Sequence, residues 1–314
     1  MDFARSLLDA YVPAKHPLVL IKKHIDFSFV DALCAPFYST SREGQPEYPP
    51  ELLFRICFLS FFENMSYRET VCRLEHDLLF RDFCDYWDFG HPSHATLSVF
   101  LKRVGAESIA ECFNRIVGQA KARGLVGKEV GAIDSTIVES HANRYRLWFE
   151  GGSPDPDAKW TSKRGKHYYG FKGHTHTDTD SGFITKRKVT PANESDMNNL
   201  ESLLDQDFKA ETADKGYSSA ENRQCLKDNE QEDVIIPKDN EKKIVIDKEK
   251  AKKRTQVERN FSVAKRFHRL EKTISWGIEA FSIQFDFALM AWNAKCWVKQ
   301  LLNKPCWVWK AQCA

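Results

Sequence analysis

The sequence predicts an α/β (α+β) protein, with a mixed sheet flanked by helices over residues 126–314 and an all-helical region over residues 1–125 before it. Three observations predict it. Apolar residues in the first third recur at helical spacing, as in Leu52, Leu53, Ile56 and Cys57. After Gly127 the pattern changes to short apolar runs bounded by turn residues. Those runs then alternate with helical segments, the order expected of a sheet covered by helices. The chain has 314 residues, 42% of them hydrophobic and 22 of them Phe, which is enough to bury a large core.

The elements follow in order. Pro49 and Pro50 open the helix that carries Leu52 to Ser60, where a missing N–H costs least. Ser66 and Glu69 make a capping box for the next helix. Ser93 or Thr96 caps a helix carrying Phe100, Lys102 and Arg103, and a long amphipathic helix runs from Ala106 to Arg123, ended by Gly124. Val130 to Asp134 reads as a strand that ends on its acid, and Arg144 to Lys166 as a loop. Two strands, Tyr168 to Asp178 and Phe183 to Val189, flank a hairpin turn. A helix follows near Met197 to Leu204, then a short strand leading to Asp214. Ser218 and Glu221 make a second capping box, Val234 to Pro237 is a short buried strand, and helices Lys250 to Leu270 and Gly277 to Leu302 close the chain.

Composition narrows the function. A formal net charge of +2 argues neither for nor against nucleic acid, so the placement of charge decides. The nine cysteines are odd in number and lack any C-x-x-C pair, and most sit in apolar stretches, as buried small hydrophobes in a reducing cytosol do. The N-terminus lacks the pattern of a signal peptide. Phe54 to Phe62 is too short to span a bilayer, and Glu279, Gln284, Asp286 and Lys295 interrupt the run Ile278 to Leu302. A soluble, cytoplasmic protein with no membrane partner is expected.

The chemistry is carried by acids on separate elements. Asp134 and Asp214 each follow an apolar strand, a favoured site position in open sheets and equally a common place for a cap or turn. Glu258 lies on a helix whose Val257, Phe261, Ala264 and His268 form a core stripe. Beside it runs a stripe of Arg254, Glu258, Ser262, Lys265 and Arg269. The plain alternative is a solvated face with an Arg254–Glu258 ion pair. If the three acids meet, they make ligands of the right kind for two magnesium ions that clamp an in-line phosphoryl transfer. Arg254, Lys265 and Arg269 then bind phosphate.

Several ordered motifs are familiar. Ala132-Ile133-Asp134-Ser135-Thr136, Tyr169-Gly170-Phe171-Lys172-Gly173-His174, Val189-Thr190-Pro191-Ala192-Asn193 with Asp196, Ala213-Asp214-Lys215-Gly216-Tyr217 and Val257-Glu258-Arg259-Asn260-Phe261 together resemble the DDE transposases of bacterial insertion sequences, of the insertion-sequence-five type. Tyr48-Pro49-Pro50 through Glu69 resembles that family's helical N-terminal domain, so the resemblance covers about Tyr48 to Leu302. The chain departs from many relatives at Asn260-Phe261-Ser262 and at Glu271.

The resemblance implies a ribonuclease-H-like fold with the first acid on the first strand, the second just after the fourth strand and the third on a later helix. It implies Asp134, Asp214 and Glu258 as catalytic and metal-binding residues, and two magnesium ions, for which manganese can substitute. It also implies a DNA transposase that cleaves the terminal inverted repeats of its own element and joins the 3′ ends to target DNA. Double-stranded DNA is the expected partner, a homodimer on DNA the expected assembly, and the bacterial nucleoid the expected place. A catalytically decayed or domesticated DNA-binding protein is the alternative. The acids stand 80 and 44 residues apart, and the second gap leaves no room for a large insertion domain.

Other features carry weaker expectations. Lys166 and Lys172, interleaved with Trp160, Tyr168, Tyr169 and Phe171, suit phosphate contact with base stacking. His174 and His176 share a strand face, which suits a structural or substrate contact better than metal. His141 is a candidate neighbour of the site. The helix Ser93 to Arg103 is a candidate helix-turn-helix element of the end-binding region. Trp292, Trp297, Trp307 and Trp309 read as packing or a dimer face.

Overall fold

The structure, a computed structural model, describes residues 2–38, 47–87, 92–142, 155–241 and 244–303. The first part of the expected loop, with Arg144 and Gly151, together with Cys306, Trp307, Trp309 and Cys313, lies outside the described residues. The N-terminal region is helical: α1 (Asp2–Tyr11), α2 (Pro17–His24), α3 (Phe29–Cys34), α4 (Pro50–Phe62), α5 (Tyr67–Leu74), α6 (Leu78–Cys84) and α7 (His94–Ala122).

Local chemistry explains where these helices start. Pro50 opens α4. The capping box forms at α5, where Ser66 Oγ accepts from Glu69 N while the Glu69 carboxylate accepts from Ser66 N. Ser93 caps α7 through Thr96 N. The two helices expected between 93 and 123 are one element broken at Gly105, whose φ of 73° leaves the helical region.

The sheet contains β1 (Val130–Glu139), β2 (Lys159–Lys163), β3 (Lys166–Asp178), β4 (Ile184–Pro191), β5 (Ala210–Ala213) and β6 (Glu232–Asp233). Between these run α8 (Leu200–Leu203) and α9 (Ala220–Asp228), and after them α10 (Lys248–Lys252), α11 (Thr255–Phe267) and α12 (Ile278–Leu301). Strand β3 pairs antiparallel with β1, β2 and β4, whereas β5 runs parallel to β1 and to β6. Setting β2 aside, Asp214 follows the fourth strand.

Four details differ from the sequence reading. Asp134 does not end its strand, because β1 continues to Glu139. Part of the expected loop is strand β2, joined to β3 by the turn Arg164–Gly165, whose two positive φ angles match a hairpin's twist. The cap of α9 is Ser219, not Ser218; Ser218 Oγ instead reaches Glu241. The strand expected over 234–237 is not assigned as one; β6 lies just before it, and Val234 N and Ile236 N donate to Glu211 O and Ala213 O.

Helix α12 occupies the centre. On one side Phe287 packs against Phe54 and Phe61 of α4, with ring centroids 5.2 and 5.5 Å away. On the other, Asn293 both accepts from Ile184 N and donates to Ile184 O, Trp292 Nε1 donates to Gly182 O, and Phe281 stacks on Phe171. Arg187 forks onto the buried Asp286. One hydrophobic cluster therefore runs from Leu18 to Val298 through both regions, crossing the 125/126 boundary. Among the described residues no helix is long and apolar enough to cross a membrane. All seven described cysteines are free, and Cys34, Cys57, Cys84, Cys112 and Cys296 are buried as expected.

Candidate active site

Two neighbouring parallel strands set the first two acids side by side. Ile133 of β1 lies opposite Ala213 of β5, so the next residue on each strand is an aspartate. Strand alternation sends Asp134 to the same face as Thr175, its direct partner on β3, and Thr177. That face is covered by α11, whose Asn260 donates to Gly182 O and reaches Thr177 Oγ1.

Helix α11 buries the expected stripe: Val257, Phe261 and Ala264 are in the core, and His268 just beyond it is also buried. This orientation turns Glu258 outward in the first turn, at the edge of the sheet face. Arg254, one turn earlier, joins the elements. Its Nη1 donates to Asp134 Oδ2 and its Nη2 to Glu258 Oε1, both at 3.0 Å.

The electrostatics differ along this row. Burial pushes the Asp134 carboxyl up to about 6, against the pull of the Ser135 N–H, Arg254 and Lys163, and the charge of Asp214 adds to the rise. Asp214 is half-buried and caps the short 3₁₀ turn Lys215–Tyr217 through Lys215 N at 2.8 Å. A capping role and a site role are compatible, since the cap fixes where the carboxylate stands. Glu258 is exposed.

On the opposite face lies a polar lattice that sequence reasoning did not single out. Asp196 Oδ1 accepts from Ser135 Oγ and from Lys172 Nζ, each at 3.0 Å, and Lys172 also donates to Glu194 O. His174 pairs with Thr190 Oγ1 at 2.9 Å and lies 3.3 Å from the Tyr217 hydroxyl. The lattice ties the 194–196 loop and the turn after Asp214 to the residue next to Asp134. Its members lie in the motifs around Ser135, Lys172 to His174, Val189 to Asp196 and Tyr217, none of which by itself assigns a partner.

The expected cations divide. Arg254 stands at the carboxylates, and Lys166 is exposed at the β2–β3 hairpin. Three make contacts inside the protein. Lys172 is held by Asp196 on the face away from Asp134. Lys265 Nζ donates to Ile137 O at 2.6 Å. Arg269 lies over the rings of Phe61 and Tyr67 and donates to Ser60 Oγ.

The histidines make contacts within the protein. His176 bonds Glu211 at 2.9 Å and also meets Thr185, all buried. His141 stacks on Trp276 beyond the far end of β1. In the helical region Arg103 is paired with Glu47 and lies over Tyr38.

Among the described residues, no three His, Cys, Asp or Glu side chains stand close enough to hold one metal ion together. The donor chemistry nonetheless suits a hard divalent cation, since Asp134 and Asp214 are neighbouring carboxylates that follow paired positions of β1 and β5. The buried hydroxyl of Thr175, opposite Asp134, also has no hydrogen-bond partner. Glu258 is linked to Asp134 through the Arg254 guanidinium.

Antiparallel strands β1 to β4 extended by the parallel strands β5 and β6, with acids on the first strand and just beyond β5, define a ribonuclease-H-like fold carried on a helical region. Comparison with known proteins agrees. Residues 126–294 match the family described as Transposase DDE domain, and residues 6–103 match Transposase domain (DUF772). The transposase for insertion sequence element IS1106 of Neisseria meningitidis serogroup B is 30% identical over 208 residues, covering 60% of this chain and 72% of that protein. The cryo-EM structure of a piggyBac transposase synaptic complex with hairpin DNA aligns over 92% of this chain and 77% of its own, with a TM-score of 0.50 at 10% identity, a likeness of fold. The chain belongs to the DDE transposases, of the bacterial insertion-sequence kind.

Proposed function

We propose that this transposase cleaves the terminal inverted repeats of its own mobile element and joins the freed 3′ ends to target DNA, using Asp134, Asp214 and Glu258 as its catalytic carboxylates. The observation that carries the reading is the β1–β5 register, which brings Asp134 and Asp214 together on the face covered by the helix of Glu258.

Two divalent cations, magnesium or manganese, supply charge stabilisation and an activated water when bound. The protein's part is to hold and orient. Asp134 and Asp214 provide the rigid half of the ligand set, fixed by the sheet and by the Lys215 cap. Glu258, on an exposed first turn, provides the half that can adjust. Exposed Lys163 and Lys166 at the hairpin receive DNA phosphates. The region 1–125 serves end binding, with residues 126–314 as the catalytic part. Two element ends must be handled together, which calls for a homodimer on DNA.

The test is cleavage in magnesium of a DNA fragment carrying the gene and its flanks. Wild type cuts at the repeat ends, and Asp134→Asn, Asp214→Asn and Glu258→Gln each lose at least about a thousandfold of that activity while keeping the fold. Binding without cutting by the wild type points instead to a decayed DNA-binding protein. Equal cutting by wild type and Glu258→Gln removes Glu258 from the site.

A further inference from the structure

Arg254 sits at the turn between α10 and α11, four residues before Glu258, and spans from Glu258 to Asp134. A guanidinium held across the two carboxylates takes up one oxygen of each and opposes a divalent ion there by like charge. We propose that Arg254 is a built-in counter-cation of the site, displaced from Asp134 and Glu258 when a divalent metal binds, and thereby released to meet a DNA phosphate. This rests on the carboxylate assignment above.

The geometry supports the exchange. The i,i+4 spacing lets the arginine side chain swing by its own torsions without moving the backbone of Glu258. The two arms of the bridge are unequal. The Asp134 arm is shielded, with side chains 18% and 17% exposed, whereas the Glu258 carboxylate is 59% exposed and its arm is weakened by solvent. A metal therefore meets the loose arm first.

Of the neighbouring cations, Lys163 acts on Asp134 through its charge, and two others are engaged elsewhere. Lys253 pairs with Asp180, and Lys265 is bound to Ile137 O. A guanidinium keeps its charge at any working pH, so the event is a swap of cations with no proton moved. Adding a divalent ion and freeing an arginine leaves the site more positive, so metal and DNA phosphate favour each other's binding.

Manganese titration of the full chain by calorimetry, without DNA, tests this. The expectation is that Arg254→Gln binds manganese at least about tenfold more tightly than wild type, that Arg254→Lys falls between, and that Asp134→Asn loses binding. Melting with and without manganese provides a second readout, in which the metal raises Tm more in Arg254→Gln than in wild type. If Asp134→Asn and Glu258→Gln lose manganese while both Arg254 variants bind as wild type or more weakly, displacement is overturned and the carboxylate site stands. If Asp134→Asn and Glu258→Gln bind manganese as wild type does, the carboxylate assignment itself fails.

Discussion

A histidine sealed from water resists protonation, and His268 shows how strongly. Burial, with Lys295 and Lys299 nearby, depresses it from 6.5 to about 3, although its Nδ1 lies 2.9 Å from Phe61 O. Because the folded value is the lower one, the unfolded chain takes up a proton here between pH 6.5 and 3 while the folded chain does not. Stability from this group is thus intact above pH 6.5 and falls as the pH drops, by about 1.4 kcal/mol per unit. His268→Gln keeps a donor for Phe61 O without the proton. Urea unfolding from pH 7 to 4 is expected to show a slope shallower than wild type by about one proton, and equal slopes would mean that His268 is charged in the folded protein. His268 was legible as a core residue from its stripe with Val257, Phe261 and Ala264. Arg269, the next residue, was not. The helix has already ended at Phe267, and Arg269, at a φ of 56°, lies over Phe61 and Tyr67, an outcome no spacing rule contains.

The contact between α12 and β3 depends on the lack of a side chain at Gly173. A Cβ there would come within 2.3 Å of the Phe285 ring, too close for any packing to absorb. Gly173→Ala is expected to destabilise by about 1–3 kcal/mol in urea unfolding, and the Phe285→Ala background should shrink that cost. Additive costs would show that the ring does not set the limit. The capping box at Ser66 was readable because its partners lie three residues apart. Strand β2 was not, because Lys159 to Lys163 has no apolar alternation and is held by backbone pairing to β3. Lys172 illustrates the same limit. Its position on the strand was correct, but which face it occupies depends on a register set by β1 and β4.

Across the whole molecule, the two regions that differ in sequence character share one core. The order of strands and the three acids were visible locally, and the family resemblance rests on them. The burial of α12 among α2, α4, α7 and the sheet was not, because long-range packing leaves only a helix apolar on most faces as its trace. Residues 1–125 expressed alone are therefore expected to be helical by circular dichroism yet to melt without a cooperative transition. They should also bind a hydrophobic dye. A sharp cooperative melt of that fragment would show that α12 is dispensable to its core.

The position of α12 also sets a schedule. Ala122 closes the helical region, and the helix that completes its core emerges only about 150 residues later, roughly 10–30 s into further synthesis. Until then the apolar faces of α4 and α7 wait on the ribosome without their partner. A copy of the gene cut short by a premature stop or a frameshift is therefore expected to yield no folded helical fragment, only a chain for the proteases.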